Sequence, residues 1–173
     1  MANRQILSMG RLIHPLSSPK KGHRLEFEYS RSIRASVATV WNSLVDPSAM
    51  EPHLPGTAKV VSTGQSSYRV SMKISMGFLR PTVNADVQLS GMTEHRSFTI
   101  ELSGKSMGAG IAGKAKVALS SLADEEDSTK LKMIGTVETS GLLKKIPDSK
   151  IEAAASGFLD SYFASVEKTA APL

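Results

Sequence analysis

The sequence predicts an α+β fold: a curved antiparallel sheet of about seven strands wrapped round a long C-terminal helix, with two short helices after the first strand. Three observations carry this. Between residues 57 and 139 apolar and polar residues alternate with period 2 in runs joined by short turns, the pattern of an antiparallel meander with one wet face. From Ile151 to Val166 the period becomes helical. Between the first strand and the meander, residues 40–56 (V-W-N-S-L-V-D-P-S-A-M-E-P-H-L-P-G) place a helix, a stop, a second short helix and a Pro-Gly turn in one segment.

The elements follow in order. Leu25, Phe27 and Tyr29 alternate with Glu26, Glu28 and Ser30 as a strand. Val37, Val40, Trp41 and Leu44 then fall on one helical face, with Ser36 as N-cap. Asp46 ends that helix and caps the next, whose first position is Pro47. Pro52 and Pro55-Gly56 close the segment. In the meander, Tyr68, Val70, Met72, Ile74 and Met76 share a face, as do Val83, Ala85, Val87 and Leu89. Phe98, Ile100 and Leu102 follow, then Gly113, Ala115, Val117 and Leu119, then Leu131, Met133, Gly135 and Val137. Turns are expected at Gly64-Gln65, Gly91 to His95, Gly108 to Gly110 and Asp124 to Ser128. Pro147-Asp148 starts the last helix, whose stripe is Ile151, Ala154, Ala155, Phe158, Leu159, Tyr162, Phe163 and Val166. A sheet with one apolar face must cover it, and only this helix is long enough. The result is a helix-grip arrangement, with the two short helices plugging one end.

Composition limits the function classes. The 173 residues suit one domain and bury about 70% of the unfolded surface. There is no Cys, which excludes disulfides, thiolate metal sites and Cys nucleophiles and fits a cytoplasmic location. No run approaches the ~18 apolar residues of a membrane span. The net charge of +5 is uneven: Arg4, Arg11, Lys20, Lys21 and Arg24 are matched by no acid before residue 25, and the rest is balanced. Residues 1–23 are read as a flexible basic arm suited to peripheral contact with anionic lipid, residues 24–168 as the domain, and residues 169–173 as a C-terminal tail. Ile6 to Leu16 lacks the continuous apolar core of a secretory signal.

Several motifs weigh against catalysis. Gly108-Ala-Gly110-Ile-Ala-Gly113 matches G-x-G-x-x-G, but a dinucleotide site needs a helix after the glycines, and Lys114 to Leu122 alternates as a strand. The glycines are read instead as serving the turn and the bend of the sheet. His14, His23, His53 and His95 share no ligand spacing, so no metal is expected, and no catalytic residue or cofactor is assigned. Of these, His53 lies beside the turn at the pocket end, where a capping or surface role is weighed against a polar contact to ligand. Nucleic-acid binding is not expected, because the balanced domain has no basic face interleaved with aromatics.

The inner sheet face suggests a binding site. Ala85, Gly113, Ala115 and Gly135 face Ala154 and Ala155 of the helix in this reading, and small residues opposite small ones leave volume. Methionines give adaptable walls, and ligand sites are mostly apolar concavities. The expected lining is Trp41, Met72, Met76, Ala115, Met133, Ala155, Phe158 and Tyr162. The competing reading is a filled core in which Gly and Ala serve curvature alone.

The string from Ile33 through Val40-Trp41-x-x-Leu44-x-Asp46-Pro47 to Leu54-Pro55-Gly56 resembles the START-like (SRPBCC) superfamily, and within it the carbon monoxide dehydrogenase CoxG family. Gly77, the Gly108–Leu119 pattern, Gly141 and Tyr162-Phe163 agree in order and spacing. The resemblance implies a deep apolar cavity and a non-enzymatic accessory protein of a carbon monoxide dehydrogenase-type molybdenum hydroxylase. It also implies membrane recruitment of that enzyme and a lipid- or quinone-like ligand, and it brings no catalytic residues. Some relatives carry a C-terminal membrane anchor, and none is read after residue 168. Two rival readings stay open: a cyclase- or hydrolase-type enzyme, which needs an acid or base in the cavity, and an interaction module with an incidental pocket.

Overall fold

In the computed structural model the described residues are 23–55, 58–73, 80, 82–106, 108–122 and 125–171. The basic arm therefore lies outside them but for His23, which opens the first strand. Seven antiparallel strands form one sheet: β1 (His23–Ile33), β2 (Lys59–Gly64), β3 (Ser67–Lys73), β4 (Thr82–Thr93), β5 (Ser97–Ser106), β6 (Ala109–Leu122) and β7 (Glu125–Gly141). The spatial order is β1-β7-β6-β5-β4-β3-β2. β2 to β7 are a meander, and β1 closes onto β7 from the far edge, with Tyr29 opposite Met133 and Phe27 opposite Gly135. Helices α1 (Val37–Val45) and α2 (Pro47–Met50), followed by a 3-10 turn at Glu51–His53, connect β1 to β2, and α3 (Asp148–Ala170) ends the fold.

The local signals act as their chemistry requires. Ser36 Oγ accepts from the Thr39 N–H, and Asp46 Oδ1 accepts from the Ser48 N–H at 3.0 Å, satisfying donors that each helix start leaves without an intrahelical partner. β7 starts at Glu125, so Ser128 and Thr129, expected in a turn or just after it, are buried strand residues. The Thr129 hydroxyl donates to the Ala35 carbonyl at 2.7 Å. A buried hydroxyl needs such a partner, and the turn-forming composition of that run hid it. A 3-10 turn at Leu142–Lys145, absent from the sequence reading, is launched by Gly141 at φ +63°. A Cβ there would fall inside contact distance of the Gly108 carbonyl oxygen, so only glycine fits.

The core sits toward one end of the sheet. Ile33, Val40, Phe98, Val117, Leu131, Phe163 and Val166 are buried to within about one percent of their surface. Trp41 packs edge-on against Phe98 at 5.5 Å and beside His95 at 5.9 Å. We call this the closed end: it holds the β4–β5 hairpin, the end of β1 and the C-terminal half of α3. The opposite, open end holds the start of β1, the end of β7 and the start of α3.

Candidate functional site between the sheet and the first half of the last helix

Polar contacts fasten α3 at the closed end. The Tyr29 hydroxyl donates to Asp160 Oδ1 at 2.7 Å. Arg31 bridges Asp160 at 3.3 Å and Glu167 at 3.1 Å, and Glu167 also accepts the Arg34 backbone N–H at 2.9 Å. Burial and the hydrogen bond to Asp160 push the Tyr29 hydroxyl well above its ordinary range, so it stays a donor. The Tyr162 hydroxyl donates to the Ser43 carbonyl, one of the carbonyls that α1 leaves without an intrahelical partner at its C-terminus. Burial raises Tyr162 strongly as well. His53 Nδ1 lies 2.8 Å from Ser165 Oγ with its ring edge-on to Tyr162 at 5.6 Å, tying the 3-10 turn after α2 to α3. Burial lowers the His53 pKa, favouring the neutral ring.

Toward the open end the helix covers the sheet less completely. Tyr162, Phe163 and Val166 are buried, whereas Ile151, Ala155, Phe158 and Leu159 are half-buried and Ala154 is exposed. Ala154 therefore does not face the sheet, and the small-against-small pairing read from the sequence is corrected to Ala155 alone. One stripe of a straight helix cannot track a curving sheet along its whole length, so its two halves are covered unequally. Below the first half of α3 the inner face is also half-buried: Met72, Ile111, Gly113, Ala115, Met133, Gly135 and Val137. The register aligns Phe27, Gly135, Ala115, Ile100 and Leu89 in one row, and Leu25, Val137, Gly113, Leu102, Val87 and Tyr68 in the next. The outcome is an apolar cleft that narrows toward the core.

The eight expected lining residues separate into groups. Met72, Ala115, Met133, Ala155 and Phe158 are half-buried on the inner sheet face or on α3, and Met72, Met133 and Ala155 pack against the core. Phe158 stacks on Tyr162 at 6.4 Å, so Tyr162 marks its inner end with its hydroxyl already committed to Ser43. Trp41, 5% exposed, is enclosed by the closed-end core. Met76 lies outside the described residues. Leu159 and Val137 join the cleft and were legible as part of the same stripes. Thr139, on the inner face two residues beyond Val137, is buried with its hydroxyl unpartnered.

The glycines differ in role. At Gly135 a Cβ would lie 2.6 Å from Ala115 Cα and 2.7 Å from Ala115 Cβ, so β6 and β7 approach too closely there for any side chain. At Gly113 a Cβ would meet the Thr136 carbonyl oxygen at 3.5 Å and Leu102 Cγ at 3.6 Å, ordinary contacts, so a methyl fits there. Close strand approach thus demands glycine at 135 and not at 113.

Among the described residues the cleft rows carry no carboxylate, amine, guanidinium or imidazole; their titratable side chain is Tyr68, whose hydroxyl burial pushes well above its ordinary range, and no group of three or more His, Asp or Glu is placed to hold a metal. The outer sheet face has a shallow polar hollow of about 640 Å³, bounded by Arg69 paired with Asp86 at 2.8 Å and Lys114 paired with Glu101 at 3.6 Å. Among the described residues no helix is long and apolar enough to cross a membrane.

Residues 30–171 match the family model of CoxG, a carbon monoxide dehydrogenase component. No curated protein matches the chain. Among solved structures the chain is similar to a conserved protein from Geobacillus kaustophilus, at 17% identity and TM-score 0.76, covering 84% of this chain and 94% of that one. It is also similar to a START superfamily protein from Mycobacterium smegmatis, at 14% identity and TM-score 0.60, covering 84% and 96%. A third likeness is to norcoclaurine synthase from Thalictrum flavum in complex with dopamine and hydroxybenzaldehyde, at 15% identity and TM-score 0.58, covering 88% and 91%. At these identities the likenesses establish the START-like helix-grip fold alone.

Proposed function

The chain belongs to the carbon monoxide dehydrogenase CoxG family, and from that premise we propose that it is a non-enzymatic carrier for a lipophilic, lipid- or quinone-like molecule, acting as accessory or membrane-recruitment factor to a carbon monoxide dehydrogenase-type molybdenum hydroxylase. One observation carries the binding part. The inner face under the first half of α3 is apolar and half-buried, and the cleft rows are, among the described residues, without a carboxylate, amine, guanidinium or imidazole. Such a surface gains about 25 cal/mol for each Å² of apolar area that a ligand covers. It offers few polar groups to a charged solute.

The same observation weighs against an enzyme of the cyclase or hydrolase kind, which needs an acid or base facing the substrate. Tyr162 and His53 are engaged with Ser43 and Ser165 in holding helices together. The family supports the partner assignment. Native mass spectrometry and solvent extraction of freshly purified protein test the reading. An extractable lipophilic molecule at one per chain is expected. A protein that is empty and takes up neither quinones nor lipids refutes it. Retention of a molybdenum hydroxylase by the immobilised protein tests the partner, and no retention refutes that part.

A further inference from the structure

Exposed cations gather at one end of the strands. The register brings Lys73 beside Thr82, and Asn84 opposite Lys105. It also places Lys105 opposite Gly110, and Ala109 opposite Gly141. All of these lie at the open end. Arg80 precedes β4 there, and the turn launched by Gly141 adds Lys144 and Lys145. These five cationic residues are exposed. α3 contributes Asp148, Lys150 and Glu152 at its first turns. The closed end is mixed in charge, with Glu94 beside Arg96 in the β4–β5 turn and Asp127 near Lys130 on β7.

The open end also presents apolar surface. Leu142 is 60% exposed, immediately before the lysine pair. A large aliphatic side chain held outward by a glycine-dependent turn, next to cations, is favourable at a lipid interface. Beside it on the outer face is a hollow of about 540 Å³ bordered by Thr82, Asn84, Lys105, Gly110 and Ser140, whose ammonium, amide and hydroxyl groups suit a phosphate-bearing headgroup.

We infer that the open end docks on an anionic bilayer, with Leu142 entering the interface and Lys73, Arg80, Lys105, Lys144 and Lys145 facing lipid phosphates. Because the exposed cations are gathered at this end, their attraction to the bilayer fixes orientation as well as affinity. In that orientation the mouth of the cleft, between the start of α3 and the β5–β6 end of the sheet, opens onto the membrane. The significance of that placement rests on the carrier reading, whereas the docking itself does not require a ligand.

Vesicle flotation of the full chain tests this, using phosphatidylcholine vesicles with and without about a third phosphatidylserine. Binding is expected with the anionic vesicles, weakened by raising NaCl from about 0.1 to 0.5 M. The Lys105→Glu/Lys144→Glu/Lys145→Glu variant is expected to lose at least tenfold in partitioning, given roughly fivefold for each cation near an anionic surface. Leu142→Ser is expected to weaken binding at high salt, where the apolar contribution dominates. A full chain with Arg4, Arg11, Lys20 and Lys21 changed to Gln separates the arm from this face and is expected to retain most binding. Equal flotation of the triple variant and wild type overturns the proposal, as does binding indifferent to phosphatidylserine or lost on neutralising the arm alone. Unchanged circular dichroism of the variants excludes unfolding as the cause. Flotation is scored on ligand-free protein, so its failure is distinct from failure to find a ligand.

Discussion

Gly135 and Gly113 lie on adjacent strands of the same inner face, and the structure assigns them opposite consequences. A methyl at Gly135 would sit 2.6 Å from Ala115 Cα and 2.7 Å from Ala115 Cβ, and closer still to the Lys114 carbonyl. Relief requires β6 and β7 to part locally by about an ångström. Overpacking costs about 1–3 kcal/mol, and each ladder hydrogen bond stretched beyond use adds about 0.5–1.5 kcal/mol. Gly135→Ala is therefore expected to destabilise by about 2–4 kcal/mol, lowering Tm by about 4–16 °C for a chain of this size. At Gly113 the methyl meets Leu102 Cγ at 3.6 Å and Cδ1 at 3.9 Å, so Gly113→Ala should lie within about 1 kcal/mol of wild type. Urea denaturation followed by circular dichroism measures both. Equal midpoints for the two variants would refute the division between a glycine required by close strand approach and one that a methyl can replace.

Three further outcomes follow from contacts elsewhere. Tyr162→Phe leaves the buried Ser43 carbonyl without its donor and should cost about 1–3 kcal/mol in urea denaturation; an unchanged midpoint would remove this link between α1 and α3. Thr139→Val replaces an unpartnered buried hydroxyl with a methyl and should raise stability by about 1 kcal/mol, while a loss would show that the hydroxyl has a partner. His53 has a folded pKa lowered from 6.5 by burial. The unfolded chain thus takes up the proton first, so stability is full above pH 6.5 and falls as pH drops from 6.5 through the lower folded value. Thermal melts from pH 7.5 to 5 should lose that slope in His53→Gln, and an identical slope would refute the assignment.

Much of the fold was legible because its signals are local. Ser36, Asp46 and Pro47 announce two helix starts by chemistry that acts within three residues, and period 2 in β4 and β6 separates inner from outer faces directly. The fastening of α3 was not legible, since Tyr29–Asp160 and Arg31–Glu167 join residues 131 and 136 positions apart. Their spacing held a faint signal: Tyr29 and Arg31 share a strand face, and Asp160 and Glu167 lie two turns apart on one helix face. Periodicity sufficed to place Met72, Ala115, Met133, Ala155 and Phe158 on inward, half-buried faces. Trp41 could not be assigned to core or cleft that way, because an amphipathic stripe says which face is covered and not by what. Ala154 was misplaced for a related reason. A stripe assumes equal coverage along α3, and the curving sheet receives only its second half closely.

The central claim, that the half-buried inner face under α3 is a ligand site, is tested most directly by ligand stoichiometry in native mass spectra of wild type and Ala115→Phe after incubation with a quinone and with a phospholipid. Ala115 lies at the centre of the cleft rows and is half-buried, so the added ring occupies the space a ligand would take. One bound molecule per chain in wild type and none in a folded Ala115→Phe protein is the expected result. No adduct with wild type, or equal occupancy in both proteins, would contradict it.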